Sequence, residues 1–358
     1  MNDSKATKLE KIQGWKLPMG AMSCVLSDDE TTMIAGCMDG VYRFDLANGK
    51  EERLYQHESY VSSVARISDH RVVSAGYDGR ILWFDLKENK LIRDIRAHEF
   101  WSWDMCLSPD HTKIASVTGQ YLAGSYRYEP QPEREPSIKV FAADSGELIH
   151  ALSHVPSTQA VSISPDNRLL AAGNIMGEIR IFDLENGQMI ANWTTPDFTS
   201  WGIIKSHCYL GGVFAMQFTP NGKELLLCGM GPMRDPMAGN GKQLWQRWDF
   251  LATTPKMTDQ THKGDGGEGL METLATHSEA GHFAMGGRLR GGDWNLALFD
   301  SKSGDRIAFA KTGFRITQAV FMNNGKRLLI VGTQGQPKDR NDSGSFPKFG
   351  RVETYEIT

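Results

Sequence analysis

Two carboxylates and two amides, Asp104, Glu272, Gln159 and Gln318, each stand at the start of an apolar, strand-like run. As one set they offer calcium or a transition metal only two charged ligands, a thin coordination sphere. Their expected role is ordinary polar lining, so no metal or other cofactor is expected. The ten histidines do not cluster by spacing. His277 and His282 flank a turn in THSEAGH, five residues apart, without the further ligands a zinc site needs. His57, His98 and His154 recur at matching positions before strand-like runs, which points to structural roles. Lys263–Gly269, KGDGGEG, lacks the order of a phosphate loop, and no helical pattern follows it. No Gly-x-Ser-x-Gly elbow occurs, so no catalytic residue is assigned.

Five cysteines, an odd number, and the absence of any CxxC fit a reducing compartment better than a disulfide framework. Cys24, Cys37, Cys106 and Cys228 lie in strand-like runs and read as inert buried thiols, whereas Cys208 falls in a loop. Net charge is −4 over 358 residues, without the basic footprint of a nucleic-acid binder. The N-terminal MNDSKATKLEKIQGW has no apolar core for a signal peptide, and no apolar run approaches the ~20 residues of a membrane span. The expectation is a cytoplasmic protein with no membrane insertion and no nucleic-acid partner.

The elements that must position these residues repeat along the chain. Val72–Leu86, VVSAGYDGRILWFDL, reads as two short strands joined by a tight turn at Tyr77-Asp78-Gly79. The aromatic closing the second of these strands recurs as Phe44, Phe84, Phe141, Phe182, Trp248, Phe299 and Tyr355. Successive spacings are 40, 57, 41, 66, 51 and 56 residues. The short ones match the ~40–45 residues of a four-stranded propeller blade. Each unit repeats one order: an alternating strand, a turn such as SPDN, a small-residue strand such as LLAAG, the aromatic–Asp strand, a second turn such as ENG, and a polar outer strand. No window of useful length has the 3.6-residue period of a helix.

The SPDN and YDG turns, the FDL-x-NG runs and the histidines 57 and 98 before inner strands resemble the WD-repeat β-propeller family. That resemblance implies an all-β, seven-bladed propeller of four-stranded antiparallel blades, serving as an interaction platform. It also implies a hydrogen-bonded network of histidine, serine or threonine, aspartate and tryptophan in each blade. The second unit comes closest, with His57, Ser74 and Asp78, but Phe84 replaces the tryptophan, so the network is expected to be incomplete.

Strand counting leaves the last unit, ending at Thr358, without its outermost strand. Lys11–Leu17 precedes the first inner strand without a partner and is expected to fill that place, removing two exposed edges. Residues 1–8 are expected to form a loose tail, and 9–358 a single propeller domain.

Most of the extra length lies in 120–136, 196–212, 230–243 and 334–350, with a shorter stretch at 286–295. In an up-and-down blade all five fall in connections of one face, second-to-third or fourth-to-first. Binding is built on such loops over a rigid scaffold. That face carries Phe100, Trp101, Trp103, Tyr121, Tyr126, Arg127, Tyr128, Trp201, Tyr209, Arg234, Arg288, Arg290 and Trp294, residue types that dominate interface hot spots. Trp101, Arg127 and Trp201 are expected to be exposed, and Trp103 to lean into the core. The segment PQPEREP is expected to offer an extended stretch to a partner.

The reading is a non-catalytic scaffold that binds one or more protein partners on this face. Self-association through the same loops is also open to it. The alternative is an enzyme, or a small-ligand or metal sensor, with its site in the pocket at the central channel.

Overall fold

A computed structural model of the chain describes residues 7–119, 132–155, 157–198, 212–235, 240–266, 268–335 and 348–358. Among them the side chains of 196, 232–235, 240, 241, 268 and 289–291 lie outside the description. Twenty-eight strands form seven four-stranded antiparallel blades, and one short 3₁₀ turn, Pro196–Phe198, is the only helical element among the described residues. The inner strands are Ala21–Leu26, Val61–Ser68, Asp104–Leu107, Thr158–Ile163, Gly212–Phe218, Glu268–Thr276 and Arg315–Met322, in blade order. Blades 5 and 6 are also joined by one backbone pair, Lys242 with Glu268.

All seven register aromatics lie in the third strand of their blades, as in Gly40–Asp45 for Phe44 and Gly350–Ile357 for Tyr355. The second strands explain why small residues dominate there. Thr32–Cys37, Arg71–Gly76 and Leu169–Asn174 are buried on both faces after their first residue. Each is covered by a neighbouring blade on either side, so alternation is lost and compact apolar residues fit the ~10 Å sheet spacing. Outer strands such as Lys90–Arg96 keep polar alternation because one edge faces water.

Leu9–Leu17 pairs antiparallel with Gly350–Ile357 and supplies the missing strand of blade 7. Leu17 is fully buried, and the Trp15 indole N–H donates to the Leu46 carbonyl of blade 1 at 3.2 Å, so this strand ties the first blade to the last. The ladder reaches Lys8, which exchanges two backbone hydrogen bonds with Thr358 (2.8 and 3.1 Å), so Lys8 is not part of a loose tail.

The insertions differ in kind. Within 230–243 the described residues are strand: the second and third strands of blade 5 lengthen to Leu225–Asp235 and Asn240–Asp249. Pro132–Pro136 is tied down rather than offered. Glu133 accepts from the amides of Ser137 (2.7 Å) and His154 (3.0 Å), and Glu135 from Lys139 and the Glu99 amide (both 2.6 Å). Two alternate glutamates thus strap this segment onto blades 3 and 4. Burial works against the Glu135 charge, but the facing His98 ring, Lys139 and the amide hold its pKa at about 2. Tyr121, Tyr126, Arg127, Tyr128, Trp201, Cys208 and Tyr209 lie outside the described residues.

Candidate functional site: the aromatic rim of the central channel

The inner strands converge on a polar cavity of about 350 Å³, lined by Asp104, Gln159, Glu272 and Gln318 with Tyr77, Trp103 and Arg315. The four sequence candidates do meet there, but each is already engaged. Gln318 Oε1 accepts the Cys24 amide at 2.6 Å, and Asp104 Oδ2 the Val161 amide at 3.1 Å. Glu272 takes the Arg315 Nε–H on both oxygens at 2.8 Å, and Gln159 donates to Ser157 at 2.8 Å. Burial pushes the Asp104 and Glu272 carboxyls up, against the amides around Asp104 and the Arg315 guanidinium beside Glu272.

Asp104 and Gln318 belong to a pattern around the axis. Ser23 accepts the Val64 amide (3.1 Å), Ser63 the Met105 amide (3.0 Å), and Thr273 the Ala319 amide (3.1 Å). Ser23, Ser63, Thr273 and Gln318 each stand just past an inner-strand bulge, Asp104 opens its inner strand, and each caps a backbone N–H of the next blade. Five of the seven blade junctions are latched in this way. The equivalent residues in blades 4 and 5 are Ala160 and Ala215, which have no acceptor.

At the cavity mouth stands an aromatic stack. Tyr77 and Phe100 cover the two sides of Trp101, with ring centroids 4.8 and 5.0 Å away and planes within 6° and 11° of parallel. Trp103 meets Trp101 edge-on at 5.1 Å, and Tyr60 adjoins Tyr77 at 5.9 Å. Gly79 permits the approach: its φ is +74°, and a side chain there would strike the carbonyls of His98 and Phe100. Tyr60 and Trp101 remain 41 % and 39 % exposed. Burial pushes the Tyr77 phenol up to about 12, and its hydroxyl lies within electrostatic reach of Arg315, Glu272 and Asp104.

The rim therefore holds Phe100, Trp101 and Trp103 together, with Arg288 exposed on the same side. Trp103 is half-buried, its indole N–H donating to the Gly119 carbonyl at 2.9 Å. Trp294 is not part of this surface. It is 2 % exposed, packs on Phe299, and has Arg306 over its ring at 5.6 Å. The side chains of Arg234 and Arg290 lie outside the description. Tyr60, Tyr77 and Arg315 were not singled out from sequence. Their only signal was position, just before an inner strand or in a second-to-third turn.

In blade 2 the expected incomplete network is complete. Tyr55, from the outer strand of blade 1, donates its hydroxyl to Ser74 at 2.9 Å; Ser74 meets His57 Nε2 at 2.8 Å, and His57 Nδ1 meets Asp78 at 3.0 Å. Phe84 instead stacks on the Tyr55 ring at 4.7 Å. The Ser–His–Asp order matches a nucleophilic triad, but Ser74 is fully buried and its oxygen is occupied on both sides, so the arrangement is structural.

A family description for the WD domain, G-beta repeat, matches residues 49–85, the stretch that holds this network. Telomerase protein component 1 of Rattus norvegicus is 25 % identical over 186 residues, 51 % of this chain and 6 % of that protein. Apoptotic protease-activating factor 1 of the same organism is 26 % identical over 167 residues, 45 % of this chain and 12 % of that protein. WD repeat-containing protein SL1-17 of Schistosoma mansoni is 24 % identical over 190 residues, 44 % of this chain and 63 % of that protein. The matched stretch is thus less than two thirds of each relative's length. With seven four-stranded blades and an intact His57–Ser74–Asp78 network inside the matched repeat, the chain belongs to the WD-repeat β-propellers.

Proposed function

We propose that the chain is a non-catalytic scaffold that binds a protein partner on the insertion-bearing face, with the aromatic rim as its anchor. The family's general role as an interaction platform supports the class. One relative's name is that of a component of a larger assembly, which agrees with it. The observation that carries the reading is the rim itself: Tyr60 and Trp101 are large, exposed aromatics, Trp101 stacked between Tyr77 and Phe100 and Tyr60 tilted against Tyr77. Pre-ordered aromatics lose little entropy on binding, which makes them efficient anchors. The channel-mouth alternative has less support, because Asp104, Glu272 and Gln318 are already committed within the ring. A cytoplasmic location is part of the proposal, and the four described cysteines, all free, are compatible with it.

The test is affinity capture from the source cells with the wild type and a Tyr60→Ala, Trp101→Ala, Arg288→Ala variant shown to be folded by circular dichroism. A protein captured by the wild type and lost from the variant supports the reading. Capture by both overturns the assignment of the face. No specific capture by either overturns the scaffold role.

A further inference from the structure

On the opposite, short-turn face, the seam between blades 5 and 6 contains a buried cation with nothing bound to its best hydrogen-bonding edge. Arg247 sits in the third strand of blade 5, two residues after Trp245 and on the same side of the sheet. Trp245 packs against Phe283 and Phe299 of blade 6 (5.0 and 5.6 Å), so Arg247 also points into that seam. Its guanidinium lies over the Trp245 ring at 5.8 Å. The side chain is only 10 % exposed, and Nε and Nη2 are both buried without a hydrogen-bond partner. Those two N–H groups form the fork that grips a planar oxyanion with two parallel bonds. Asp259 balances the charge from 3.8 Å, too far to accept a hydrogen bond from Nη2, and it already receives His262 at 3.1 Å.

Arg247 lines a pocket of about 280 Å³ that opens among the turns of blades 5 and 6. Asn221, Ser278 and Ser301 line it with an amide and two hydroxyls, and Glu224 also lines it, its Oε1 accepting from Thr258 at 2.9 Å. Leaving buried charged donors unmade is costly, and here the two donors belong to a side chain that lines a pocket with room for an acceptor. We propose that this pocket is a second binding site, and that it takes a carboxylate. The fork fits a planar, singly charged group, with the neighbouring hydroxyls and amide completing its lone pairs. Glu224 and Asp259 repel a doubly charged phosphate more strongly, which favours the carboxylate. The site is independent of the aromatic rim on the other face.

The test is NMR of the ¹⁵N-labelled full chain, following the Arg247 Nε–H resonance. The peak is assigned by its loss in Arg247→Lys, or by through-bond correlation if that variant does not fold. Acetate is titrated against chloride at equal ionic strength. A saturable shift with acetate alone is expected, within ~0.1 M for a millimolar site. Acetyl-triglycine and its amide-capped twin separate the sources of the group. If acetate and the free peptide bind alike, the pocket takes small carboxylates. If the free peptide binds ~10-fold tighter than acetate and amidation removes the effect, it captures a chain terminus. An Arg247 peak that does not move, or moves equally with chloride, overturns the proposal.

Discussion

Ser74→Ala isolates the network that Tyr55 completes. The Ser74 side chain is fully buried, and its oxygen serves both the Tyr55 hydroxyl (2.9 Å) and His57 Nε2 (2.8 Å). One proton arrangement satisfies the whole chain: Tyr55 donates to Ser74, Ser74 to His57 Nε2, and His57 Nδ1–H to Asp78. Removing the oxygen leaves two buried polar groups without partners, at about 1–3 kcal/mol each, so the variant should lose about 2–6 kcal/mol. Tyr55→Phe removes one donor and leaves Ser74 bonded to His57, at a cost of about 1 kcal/mol. In the double variant the orphaned phenol is gone, so the two losses should not add, and a coupling of about 1 kcal/mol should appear. Urea unfolding midpoints at constant m-value measure all three. A Ser74→Ala loss below about 0.5 kcal/mol, or strict additivity, would refute the idea that Tyr55 replaces the missing tryptophan.

Three other outcomes follow from the ring. Ser63→Ala should lose about 1 kcal/mol by unlatching blade 2 from blade 3, whereas Ala215→Ser should gain part of that by giving the Leu274 amide a hydroxyl; opposite shifts of the urea midpoint would establish the latch. Leu17→Ala should lose about 2–5 kcal/mol, because this fully buried side chain sits where the first strand joins blade 7 to blade 1, and an unchanged melting temperature would contradict closure by that strand. Burial acts to lower the His262 pKa, but Asp259 and Asp305, each 3.1 Å from a ring nitrogen, outweigh it and raise the value above 6.5. Its folded pKa exceeds the unfolded one, so its stabilisation is full below about pH 6.5 and is lost as pH rises through the folded value. His262→Asn should flatten that dependence slightly, since the pair is partly solvent-screened, and a midpoint-against-pH curve parallel to the wild type would count against it.

The architecture was legible because it is written locally and repeated. An aromatic followed by an acidic or small residue at the end of every third strand survives even where turns and histidines have drifted, and seven copies correct one another's errors. Ring closure was legible by counting strands. The polar interior was not. Which hydroxyl meets which amide depends on a one-residue bulge in the inner strands of blades 1, 2 and 6, and a bulge leaves no compositional trace in Ser23, Ser63 or Thr273. Tyr55 escaped notice because it belongs to the preceding blade, so no within-repeat template places it beside Ser74. Trp294 looked like an anchor by residue type and loop position, yet Phe299 and Arg306 enclose it. Glu133 and Glu135 sit in a proline-flanked, charged stretch that reads as solvated, and only the folded blade shows that both reach inward for amides.

The latch pattern also explains why the two candidate sites sit where they do. Blades 6, 7, 1, 2, 3 and 4 are linked in sequence by side-chain caps at the axis. That run fixes blades 2 and 3, whose turns carry Tyr60, Tyr77 and Trp101, so the aromatic rim is built on the most firmly joined part of the ring. Both junctions without a cap flank blade 5. There blade 5 meets blade 6 through the Lys242–Glu268 backbone pair and through Trp245, set edge-on against the stacked Phe283 and Phe299. Arg247 lines the pocket at this seam with its fork unpaired. The aromatic platform thus stands over capped junctions, whereas the polar seam lies at a junction where Ala215 offers no acceptor.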